Sequence, residues 1–173
     1  YNILCQTIET LGIKNVEIFN TAVYSESNKT LPLKVYGGIH TKDVTCAEGI
    51  TPFRVGSNIT EVGQQCETIS LKDAMDALGL DRLDYLKLDC EGSEYAILEN
   101  YSNYSNIMWI CMEIHQFYGQ ERKKELLKML KEYYYLTDIN MPTGEFHVDD
   151  VIRSQIVDNF ENLHNVLLIN RNI

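Results

Sequence analysis

The stretch NIMWICMEI, residues 106–114, constrains this chain more than any other. It holds six consecutive apolar side chains, Ile107 to Met112. A run this short and this apolar reads as a strand, of the kind buried on both faces of a parallel sheet. Such a sheet needs helices packed on it, and the sequence supplies candidates. GQERKKELLKMLKEY (119–133) sets Leu126, Leu127 and Leu130 on one helical face among charged residues. Ser70 reads as the N-cap of a shorter helix, with Asp73 at its third position. Leu71, Ala74, Met75 and Leu78 share one face of that helix, and Gly79 ends it. Residues 3–11 carry Ile3, Leu4, Ile8 and Leu11 at helical spacing ahead of Gly12.

The intervening segments read as strands: NVEIFNTAV (15–23), DYLKLDC (84–90), YYYLTDI (133–139) and NVLLIN (165–170). A short helix opens at Gly92-Ser93 and runs to about Asn100, and a weaker one spans 149–160. This alternation predicts an α/β fold with right-handed crossovers and an antiparallel pair at the C-terminal end. Residues 1–173 are expected to form a single domain. Loop-formers concentrate in residues 24–66, where runs such as LPLKVY suggest hairpin strands, so this stretch reads as a variable hairpin insertion.

Charge and cysteine content narrow the function classes. Fifteen Lys and Arg against 25 Asp and Glu give a net charge of −10. The longest basic cluster, Arg122-Lys123-Lys124, is flanked by Glu121 and Glu125, which argues against nucleic acid as a partner. No apolar run approaches the roughly 20 residues of a membrane helix. Five cysteines with no C-x-x-C pair fit neither a zinc ribbon nor a disulfide scaffold, and they point to a reduced, cytoplasmic setting. Four N-x-S/T sequons, at Asn28, Asn58, Asn100 and Asn103, weigh the other way, although an Asn-rich chain produces them by chance.

In an open α/β sheet, ligands bind beyond the carboxyl ends of the strands. Two strands end in ionisable residues there, LKLDCEGSE (86–94) and CMEIH (111–115). Alternation sends Tyr85, Lys87 and Asp89 to one side and Leu86 and Leu88 to the other. Gly92 allows a tight turn into the next helix, so Asp89, Glu91 and Glu94 gather at one rim. Lys87 is a candidate partner for Asp89 or for Glu113, and Glu94 in a first helical turn suits the helix dipole. His115 follows the neighbouring strand, where it suits a general base or a metal ligand. His40, in the glycine-bearing loop GGIHTKD, is a further candidate for substrate contact.

The run TISLKDAMDALGLDRLDYLKLDCEGSEYAILEN followed by IMWICMEIH resembles the FkbM family of S-adenosylmethionine-dependent methyltransferases. That family shows an LKxDxEGxE strand-turn and a later strand ending in Glu-x-His. The resemblance implies a Rossmann-like class I methyltransferase sheet, mostly parallel, with helices on both faces. It also implies methyl transfer from S-adenosylmethionine to a hydroxyl of a sugar or natural product, so a small-molecule or glycan acceptor. Asn20, Thr21 and Ala22 then lie near the adenine and Asp89 near the methyl donor. Asp89, Glu91 and His115 are the catalytic candidates, with Glu94, Glu113 and His40 on the acceptor side. A divalent metal is compatible with this set without being required.

On this resemblance the chain is expected to be an N-terminally incomplete piece of such a domain, or else a degenerate one, because residues 1–173 offer no match to the family's first strands and glycine-rich cofactor loop, and Gly37-Gly38 stands in the wrong place. Residues 1–23 then correspond to the helix and strand that follow that part, and an exposed apolar seam is expected beside them. Two other readings use the same residues. One is a metal-dependent hydrolase built on Asp89, Glu91, Glu94 and His115, and the other a non-catalytic domain of the same fold.

Overall fold

The structure, a computed structural model, describes residues 1–36, 43–45, 60–115, 118–138 and 165–172. Helix α1 spans Asn2–Leu11 and ends at Gly12, whose left-handed φ of 65° closes it with backbone bonds to Ile8 and Glu9. Four strands follow: β1 (Ala22–Tyr24), β2 (Thr30–Tyr36), β3 (Asp43–Thr45) and β4 (Thr60–Ser70). Ser70 caps α2 (Leu71–Ala77) by accepting the Asp73 N–H. Then come β5 (Leu83–Leu88), α3 (Glu94–Glu99), β6 (Ile107–Glu113), α4 (Gln120–Lys131), β7 (Tyr134–Asp138) and β8 (Asn165–Asn170).

These strands do not form the expected single Rossmann-like sheet. They form two mixed four-stranded sheets, ordered β1-β4-β2-β3 and β5-β6-β8-β7. Among the described strands, only β1–β4 and β5–β6 pair in parallel. The other ladders, β2–β3, β2–β4, β6–β8 and β7–β8, are antiparallel. No described strand joins β1 to β5, so the two ladders close separately. Among the described residues, helices do not flank both faces either. Residues of α2, α3 and α4 pack with Ile110, Met112, Leu136, Val166 and Leu168 in one core. On the opposite face of the second sheet, Trp109, Cys111, Tyr135, Leu167 and Ile169 form a cluster with no helical residue among those described. The apolar run of β6 is therefore buried deeply on one side and partly on the other.

Residues 15–20 do not form the expected strand. Val16 and Phe19 stay about half exposed, and β1 begins only at Ala22. A strand is stabilised by its ladder, and no described strand pairs with 15–20. Helix α1 has no buried residue, and Ile3 is 80% exposed. Exposed apolar side chains thus recur along the chain from Ile3 to Phe19. The expected helix at 149–160, together with His40, lies outside the described residues. No described helix is long and apolar enough to cross a membrane. None of the described cysteines, Cys5, Cys66, Cys90 and Cys111, takes part in a disulfide.

The second sheet and its helices hold α3 in place. All five residues from Glu94 to Leu98 are buried. Arg122 of α4 forms a two-point ion pair with Glu99, at 3.0 and 2.7 Å. Its guanidinium also lies 4.4 Å from the Tyr118 ring centroid and 5.3 Å from that of Tyr95. Ile110, fully buried in β6, packs in the same core as α3 and α4. Ile110→Ala should lower unfolding free energy by about 2–5 kcal/mol in urea denaturation. Ile3→Ala, on the exposed helix, should change it by no more than about 0.5 kcal/mol.

Candidate functional site

Strands β5 and β6 run parallel, with Leu88 beside Met112, so their carboxyl ends lie side by side. The chain leaves β5 through Asp89 and Cys90 and turns sharply. Glu91 has φ 52° and Gly92 φ 102°, both in the left-handed region. Glycine accepts that conformation freely, whereas for Glu91 it is strained and persists because the surroundings hold it. The surroundings are supplied by Glu94. Its side chain is fully buried. Its two carboxylate oxygens accept the Cys90 N–H at 3.0 Å and the Gly92 N–H at 2.9 Å.

His115 stands two residues beyond β6. Its Nδ1 lies 3.1 Å from Glu94 Oε1, the oxygen that also accepts from Cys90. Its Nε2 lies 2.9 Å from Glu91 Oε2 and 3.7 Å from Glu113 Oε1. The Tyr95 hydroxyl donates to the His115 carbonyl at 3.1 Å. Consecutive residues of α3 thus hold the ring and the backbone of one histidine.

Asp89 is half exposed and pairs with Lys87 at 3.4 Å. Asp89, Glu91 and His115 each offer one ligand atom within 4.8 Å of the others, a donor set that could hold a divalent cation. The structure therefore brings Asp89, Glu91, Glu94, Glu113 and His115 together. Ala22 opens β1 in the first sheet and packs in one cluster with Tyr24, Leu31 and Ala96 of α3, the helix that Glu94 opens. Sequence reasoning missed two members, the Tyr95 hydroxyl and the backbone N–H groups around Gly92. Tyr95 carried a signal, since it opens the buried run that Glu94 shares.

Burial of the His115 ring opposes its charged form. The hydrogen bond to Glu94 and the fields of Glu94, Glu91 and Glu113 outweigh that burial and raise its pKa above the ordinary histidine value. Burial also raises the pKa of Glu91, against the lowering field of His115 and with the raising fields of Glu113 and Glu94.

The sequence matches the family described as methyltransferase FkbM domain over residues 1–137. The chain belongs to the FkbM methyltransferase family. Comparison with curated proteins and with solved structures gives no match. The methyltransferase match spans α1 to β7 and so includes the whole Asp89–His115 cluster.

For an FkbM methyltransferase whose histidine holds its proton more tightly when folded, stability should fall with rising pH. Between the ordinary and the raised pKa the native state binds more protons than the unfolded chain, so this contribution is full below about pH 6.5 and fades as pH climbs through the raised value. Denaturation midpoints measured across neutral to alkaline pH should show that decline, and His115→Gln should flatten it.

Proposed function

We propose that this methyltransferase uses S-adenosylmethionine to methylate a hydroxyl of a small molecule or glycan, with His115 Nε2 receiving the hydroxyl proton. The observation that supports this most directly is the placement of Nε2. It sits at the carboxyl end of a parallel strand pair, with Glu94 behind the ring and Glu91 and Asp89 in front. Bound S-adenosylmethionine supplies a methyl group already activated on a sulfonium. The residues present suit that cation, because Asp89, Glu91 and Glu113 crowd the rim while Lys87 and His115 are its local bases. Asp89, half exposed and outermost, would hold the cationic end of the cofactor. On the family resemblance, Asn20, Thr21 and Ala22 would lie toward the adenine.

What remains for the protein is alignment and proton removal. His115, with Glu94 bonded to Nδ1, would meet an acceptor at Nε2, where the acceptor would displace the Glu91 carboxylate that stands 2.9 Å away. Glu91 and Glu113 stabilise the ring once it is charged. A second reading adds a divalent ion between Asp89, Glu91 and His115 that positions the acceptor oxygen. Chelator treatment separates the two, since lost turnover restored by magnesium or manganese supports the ion.

Labelled methyl transfer from S-adenosylmethionine to a panel of sugar and polyol acceptors tests the proposal, alongside calorimetric binding of the cofactor. His115→Gln should lower turnover by about 10²–10⁴-fold with cofactor affinity retained. Asp89→Ala should abolish transfer and weaken cofactor binding while stability changes by no more than about 0.5 kcal/mol, given the exposure of Asp89. Unfolding of Asp89→Ala, or absence of cofactor heat in the wild-type protein, overturns the assignment.

A further inference from the structure

We infer that Glu94 is a positioning residue that fixes His115 as its Nδ1–H tautomer, leaving the Nε2 lone pair as the atom that works at the site. This deepens, and rests on, the reading of His115 as the base. It replaces the acceptor contact expected of Glu94 from sequence.

The argument begins with what Glu94 can touch. Its side chain is fully buried, so it does not meet a ligand from solvent. Both oxygens are already engaged by backbone donors, Cys90 N–H and Gly92 N–H. A carboxylate oxygen in that position offers only an acceptor to the ring nitrogen 3.1 Å away. The hydrogen between Glu94 and His115 must therefore come from Nδ1.

On the other side of the ring, Glu91 and Glu113 compete for the same single proton of a neutral imidazole. Mobility and dielectric decide the competition. Glu94 is pinned by two backbone bonds in the interior, where a charged hydrogen bond is strongest. Without a proton on Nε2 the 2.9 Å contact to Glu91 is repulsive, so in the neutral state Glu91, whose side chain is 26% exposed, turns to water, as Glu113 does at 43%. The Tyr95 hydroxyl on the His115 carbonyl removes the remaining freedom by fixing the backbone from which the ring projects. Which nitrogen carries the proton in a histidine is set by the bond the other ring nitrogen makes, and here the immovable partner stands at Nδ1.

The test is the ¹⁵N spectrum of the His115 ring in the labelled protein, at a pH where the imidazole is neutral. The wild type should show a protonated, pyrrole-type Nδ1 and a pyridine-type Nε2. Glu94→Ala should move the ring toward the Nε2–H form that free histidine prefers. Glu91→Gln should leave Nδ1–H in place, since the new amide can donate to Nε2. A wild-type ring in the Nε2–H form overturns the inference. So does an unchanged tautomer in Glu94→Ala, or an inverted one in Glu91→Gln. Should Glu94→Ala fail to fold, the wild-type and Glu91→Gln spectra decide the matter alone. None of these spectra requires cofactor or acceptor, so failure here and failure of the methyl-transfer reading are separate results.

Discussion

One buried carboxylate organises the region between β5 and β6. An isolated ionised group in a protein interior is costly, and it is tolerated only when its oxygens are hydrogen-bonded. Glu94 meets that condition with two backbone N–H groups and a histidine ring. Each bond also imposes a shape. The Cys90 and Gly92 donors converge on one carboxyl group only if the chain bends tightly between them, which the left-handed φ values of Glu91 and Gly92 accomplish. That bend in turn brings the Glu91 side chain to the outer nitrogen of His115. Strain at Glu91, the turn and the ring orientation are consequences of burying one acid.

The site needs little of the sheet around it. It draws on the carboxyl ends of two adjacent parallel strands and the first turn of the helix between them. The rest of the second sheet runs antiparallel through β8 and β7, and the first sheet is a separate ladder. A strand–turn–helix–strand unit with β5 and β6 in register supplies every residue of the contact between Glu94 and His115. The arrangement of the more distant strands governs which side chains stay exposed, such as apolar ones between Ile3 and Phe19.

Local patterns were legible wherever sequence period and packing agreed. Strand β8 coincides with the apolar run 165–170, and α4 with the leucine spacing of 119–133. The N-cap at Ser70 followed from residue type alone. The misreadings arose where a residue's state depends on a distant partner. Alternation at Val16 and Ile18 suits a strand, but with no neighbouring ladder it stays irregular. The run Ile107–Met112 reads as buried on both faces, yet helical cover is present on one. Gathering of Asp89, Glu91, Glu94, Glu113 and His115 was readable from strand ends and alternation, whereas the depth of Glu94 was not. An acid in a first helical turn reads as a surface partner of the helix dipole. The contrary signal lay in the next four residues, Tyr95 to Leu98, because a helix buried all round leaves no solvent side for its first residue.

That burial has a mechanical corollary. With only six residues, α3 is far too short to be stable by itself, so its position is set by what packs on it. The Arg122 guanidinium grips its far end at Glu99 and lies against Tyr95 and Tyr118, whose rings meet edge to face at 5.1 Å. Tyr95 is the same residue whose hydroxyl holds the His115 carbonyl. Helix α4 therefore reaches the histidine through one aromatic side chain that is packed at its ring and bonded at its tip. A shift of α4 along α3 would be transmitted to His115 by way of Tyr95, while Glu94 resists it through the turn. The imidazole is held from two directions by groups that share a helix, and its orientation is as rigid as the packing of that helix.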